Sequence, residues 1–88
     1  MSTLERTKMV VALCLGWEVA DIRPESRLVS DLGAESIDLL ELLFLLEREF
    51  EINLQSDELI PDGREARKAV VERLTVADVA AVLEAKLA

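Results

Sequence analysis

The stretch DLGAESIDLLELLFLLEREFEINL, residues 31–54, decides the fold. Set around a helical wheel at about 100° apiece, Leu39, Leu42, Leu43, Leu46 and Phe50 fall on one face. That spacing predicts a helix from Ser36 to about Glu51, with these five residues turned to a core. A second apolar stripe, Ile37, Leu40 and Phe44, lies on nearly the opposite side, bordered by Glu41, Glu47 and Arg48. An amphipathic helix with one buried face has no need of it. Two readings stay open: packing on another helix of the same small bundle, or contact with a partner protein.

Upstream, Ser2 and Glu5 have capping-box spacing, in which each side chain satisfies a backbone donor at a helix start, and Gly16 is a natural stop. A first helix is expected over residues 3–15, with Leu4, Val11 and Leu15, and Val10 and Cys14 alongside, facing the core. In that setting Cys14 is a small hydrophobe rather than a nucleophile. Residues 17–35 lack sustained periodicity and contain Pro24 and Gly33, so they read as a long ordered loop pinned by Trp17, Ile22, Leu28 and Leu32. Downstream, Pro61, Asp62 and Gly63 look like a turn, and residues 64–74 are helix-prone. Thr75 resembles an N-cap for a last helix whose apolar side is Val76, Val79, Ala80, Val82 and Leu83, with Asp78 in its first turn. The expected architecture is all-α: a small bundle of three main helices plus a shorter or variable one, in a single domain over residues 1–88.

Composition agrees and removes several function classes. Aromatic residues are 3% of the chain and Tyr is absent, so Leu, Val, Ala and Ile must fill the core, a mixture that favours helices. Three Gly and two Pro are too few for the tight turns of a small sandwich or barrel. A chain of this size buries only roughly 60% of its unfolded surface, which leaves little room for an internal active site. With no His, neither a Ser-His-Asp nor a Cys-His arrangement can be built. No EF-hand ligand spacing occurs, so neither a catalytic residue nor a metal ligand is expected. A lone Cys14 and the lack of a secretory pattern point to a reducing, cytoplasmic setting, and the longest apolar run is far below the roughly 20 residues of a membrane span.

Eighteen acids against ten bases give a net charge of -8, which repels nucleic acid and favours basic protein partners. Residues 31–58 hold nine of those acids and one base, Arg48, while the remainder of the chain holds nine of each. All the net charge therefore sits in the middle third. Acids on helices are ordinarily a solvated surface, but concentration in one segment points to a docking face. Ser36 stands within it, where a loop turns into a helix. A helix start offers unpaired N–H donors and partial positive charge to a phosphate, yet serine is also a favoured N-cap, and its chemistry alone leaves both readings available.

The run over residues 31–54 resembles the modification segment of acyl carrier proteins, whose pattern is Asp-Ser-Leu preceded by Leu-Gly-Ala. Glu35 and Ile37 replace the Asp and Leu, and the serine is unchanged. Leu15-Gly16, Ile22, Leu28 and Val29 extend the likeness upstream, to about two thirds of the chain. The resemblance implies that Ser36 receives 4′-phosphopantetheine from coenzyme A through a phosphopantetheinyl transferase, and that the arm's thiol then holds acyl groups as thioesters. It further implies that Glu35, Asp38, Glu41 and Glu47 meet Lys and Arg on the transferase and on acyl-loading, elongating or acyltransferase enzymes. Ile37, Leu40 and Phe44 would be the apolar contacts between them, on a monomeric carrier that catalyses nothing. Small residues Ala69, Ala77, Ala80 and Ala81 leave room for an acyl chain among the helices.

Two features depart from the family pattern: Arg48 stands where an acid is usual, and residues 57–73 look like an insertion of the kind found in specialised carriers for lipid modification. A polyketide or aminoacyl carrier would use the same Ser36. The aminoacyl carriers usually show Gly-Gly-His-Ser, and here Gly33-Ala34-Glu35-Ser36 lacks the second glycine and the histidine. An unmodified acidic helical adaptor would leave Ser36 as a cap.

Overall fold

The structure is a computed structural model and describes residues 1–54 and 70–88. Three α-helices stand among them: α1 (Thr3–Leu15), α2 (Ser36–Phe50) and α3 (Val76–Leu87), with a short 3-10 turn at Val19–Asp21 and helical backbone at 70–73. The expected all-α bundle is what forms. The proposed turn at Pro61 to Gly63, Ala69 and most of the insertion at 57–73 lie outside the described residues.

Each helix begins and ends for local reasons. Ser2 caps α1 by accepting the Glu5 N–H at 3.1 Å, and Gly16 closes it in the left-handed region at φ 75°, its N–H donating to the Ala12 carbonyl at 2.9 Å. The reciprocal bond from Glu5 that the capping-box spacing predicts does not form, so one orphan donor is satisfied rather than two. Thr75 and Asp78 do form the full box at α3: Asp78 N–H donates to Thr75 Oγ1 at 3.1 Å, and Thr75 N–H to Asp78 Oδ2 at 3.0 Å.

α1 and α2 lie antiparallel. At one end the Arg6 guanidinium meets the Glu49 carboxylate at 3.1 Å, donates to the Glu49 carbonyl at 2.8 Å and sits 4.2 Å from the centre of the Phe50 ring. At the other, Cys14 Sγ approaches the Asp38 carbonyl at 3.5 Å. Val11, Leu46, Val76, Val79 and Leu83 are completely enclosed between the helices, with Leu28 from the loop closing one side. Burying such side chains contributes roughly 1.5–3 kcal/mol each, which is how a chain with so few aromatics holds together.

The long loop is ordered by pairing that its sequence does not announce. Arg27 and Thr75 form an antiparallel bridge, with Leu28 N–H donating to the Leu74 carbonyl at 3.0 Å, Val76 N–H to Ser26 at 3.0 Å and Ala77 N–H to Pro24 at 2.8 Å. Ile22, Leu28 and Leu32 are buried as expected, but Trp17 is not: it is 40% exposed and holds the loop through its indole N–H, which donates to the Leu32 carbonyl at 3.0 Å. A large ring with a polar edge can anchor a loop by that bond while its face stays wet. Of the small residues expected to leave room among the helices, Ala77 and Ala81 face solvent and Ala80 is buried.

Candidate functional site

Glu35, in extended conformation, is the N-cap of α2, and Ser36 is its first helical residue. The start is fixed by Asp38, whose carboxylate accepts the Glu35 N–H at 2.8 Å, and by the Glu35 carbonyl, which accepts the Leu39 N–H at 3.0 Å. Capping is thus done by Glu35 and Asp38. Ser36 is exposed, and among the described residues nothing hydrogen-bonds its hydroxyl. The Ser36 and Ile37 amides likewise have no partner among the described residues. An exposed hydroxyl beside two free N–H donors at a helix start fits a phosphodiester on Ser36 Oγ: the donors and the helix dipole offset negative charge that Glu35 and Asp38 would otherwise oppose.

The second stripe of α2 is open to solvent, with Ile37 71%, Leu40 54% and Phe44 58% exposed. Packing within the bundle is therefore not its purpose. Of the four acids expected to border it, Glu35 and Glu41 are exposed as required. The other two are drawn inward: Asp38 is half-buried in its cap, and Glu47 is half-buried with Oε2 accepting the Leu54 N–H at 3.4 Å. Side-chain engagement of that kind cannot be read from helical spacing, which places a residue on a face without saying what its end group holds.

Cys14 is half-buried on the α1 side of this site. Desolvation raises its thiol pKa, and the nearby Glu41 and Asp38 carboxylates raise it further, which disfavours the thiolate. Among the described residues no group of His, Cys, Asp or Glu is arranged to hold a metal ion, and no helix is long and apolar enough to cross a membrane.

One surface went unread in the sequence. Met9 and Leu13 on the outer side of α1 are exposed together with Trp17 and Val19 just past its end. Part of the signal was present, since residues 9 and 13 are four apart on α1, but they stand outside the stripe that Leu4, Val11 and Leu15 define, and Trp17 and Val19 join them only because the chain turns at Gly16.

A family model described as phosphopantetheine attachment site matches residues 5–62, which takes in most of α1, the long loop, Ser36 and all of α2.

Proposed function

Because the chain belongs to the phosphopantetheine attachment-site family, we propose that Ser36 takes the 4′-phosphopantetheine arm and that the chain delivers acyl thioesters to enzymes of fatty-acid or lipid synthesis. The family makes this domain a carrier rather than an enzyme, bearing covalent 4′-phosphopantetheine, modified by a phosphopantetheinyl transferase and visited by biosynthetic enzymes.

The observation that carries the assignment is the Ser36 hydroxyl itself, exposed, without a hydrogen bond among the described residues, and set before two unpartnered amides. In the transfer, Ser36 Oγ bonds to the β-phosphorus of coenzyme A, 3′,5′-ADP leaves, and the hydroxyl proton passes to a base on the transferase. When bound, the arm supplies a terminal thiol that holds acyl groups as thioesters. The chain contributes a rigid helix start that keeps the hydroxyl outward, and a face of Ile37, Leu40 and Phe44 beside Glu35 and Glu41 for brief, charge-steered contact with each enzyme in turn. A single half-buried thiol suits the reducing cytoplasm.

Incubation with coenzyme A and a promiscuous phosphopantetheinyl transferase, read by intact mass, tests this. One covalent addition is expected on the wild type and none on Ser36→Ala, whose melting temperature should be unchanged because the lost hydroxyl bonds nothing. An unmodified wild type, with the transferase active on another carrier, would overturn the proposal in favour of an adaptor. Acyl-loading the modified chain with purified fatty-acid enzymes, against polyketide ones, then decides the cargo.

A further inference from the structure

The exposed face of α2 is acidic at the Ser36 end and carries one exposed cation, Arg48, at the other. Glu35 and Glu41 hold the Ser36 end, both exposed. At the far end the two acids flanking Arg48 are committed elsewhere: Glu49 to Arg6 at 3.1 Å, and Glu47, half-buried, to the Leu54 N–H at 3.4 Å. Arg48 is exposed one turn beyond Phe44, and among the described residues it makes neither an ion pair nor a hydrogen bond. Glu51, exposed at the helix end, lies three residues on and is not paired with it. Arg48 is also the sole base in residues 31–58. A free guanidinium bordering an apolar stripe, with the two flanking acids Glu47 and Glu49 engaged elsewhere, repels a partner surface that is basic throughout.

We propose that the phosphopantetheinyl transferase of the same cell meets this face with a basic patch near Ser36 and with a carboxylate opposite Arg48, making Arg48 a specificity-determining contact. The inference rests on α2 being the face the transferase reads. At about 1.5 Å per residue, twelve residues separate the two points by roughly 18 Å along the helix, so the acid lies that far from the transferase's reactive centre. A planar, permanently charged fork suits bidentate pairing with a carboxylate.

The test compares kcat/KM for modification of wild type, R48E and R48Q by that transferase, at low and high salt, with urea unfolding of each variant as a control. R48E should lose about tenfold and R48Q about threefold, chiefly through KM, and the losses should shrink at high salt. A mere helix-end role for Arg48 would move the unfolding midpoint and leave KM alone. Unchanged or faster modification of R48E overturns the inference while leaving the carrier assignment intact, and should R48E not fold, R48Q decides by the same comparison. A wild type that accepts no arm overturns the carrier assignment itself, and this inference with it.

Discussion

In the proposed carrier, chemistry and recognition divide between Ser36 and Glu41. Ser36 offers a reactive oxygen with no structural duty, whereas Glu41 is exposed beside Leu40 on the stripe and offers only charge. Glu41→Lys should therefore slow transferase modification about tenfold at low salt, lose that effect at high salt, and leave the melting temperature within a few degrees of wild type. Stopped-flow or discontinuous mass assays at two ionic strengths check it, and a rate independent of Glu41 at low salt would remove this carboxylate from the docking face. Glu47 is the wrong place for that experiment, because its carboxylate also receives the Leu54 amide and its loss disturbs the end of α2. The place of Ser36 at the start of α2, and of Ile37, Leu40, Glu41 and Phe44 off its core stripe, was legible from spacing. The inward turn of Asp38 and Glu47 was not, since the fate of a carboxylate depends on which amides come within reach.

The helices are the most legible level of this protein. α1 occupies the span its cap and glycine predict, and α2 begins at the predicted residue. Its end is less comfortable: Glu51 takes the left-handed conformation at φ 53° that glycine usually fills, because the chain must reverse there toward Ile52 and Leu54. At α3 the reciprocal Thr75–Asp78 bonds sit at the junction with the loop bridge. Thr75→Ala should cost about 1 kcal/mol, within the usual 0.5–2 kcal/mol for a lost N-cap, measured as a lowered urea midpoint at constant slope. An unchanged midpoint would mean that the bridge to Arg27 fixes this helix start without the cap. Local signals were readable here because capping and periodicity act within four residues.

Across the whole molecule, charge works against folding and for recognition at once. A net charge of -8, all of it arising within residues 31–58, repels itself in the folded state and attracts basic partners. Raising NaCl from about 20 mM to about 500 mM shortens the Debye length to well under 10 Å. The melting temperature should then rise by about 4–8 °C, the shift expected for roughly 1 kcal/mol in a domain of this size, while transferase kcat/KM falls. Calorimetry and the mass assay on the same samples check both directions, and a melting temperature that falls with salt would show that attractive pairs outweigh the repulsion. The sequence by itself determined the helices, the core stripe, the acidic segment and the place of Ser36 at the start of α2, because each is written in spacing or composition over a few neighbouring residues. Only the tertiary structure decided that the loop is stitched to the start of α3, that Trp17 anchors by its N–H rather than by burial, and which charges of α2 remain free. Those outcomes depend on groups far apart in sequence meeting in space, where a hydrogen bond or an ion pair formed with one partner is withdrawn from every other.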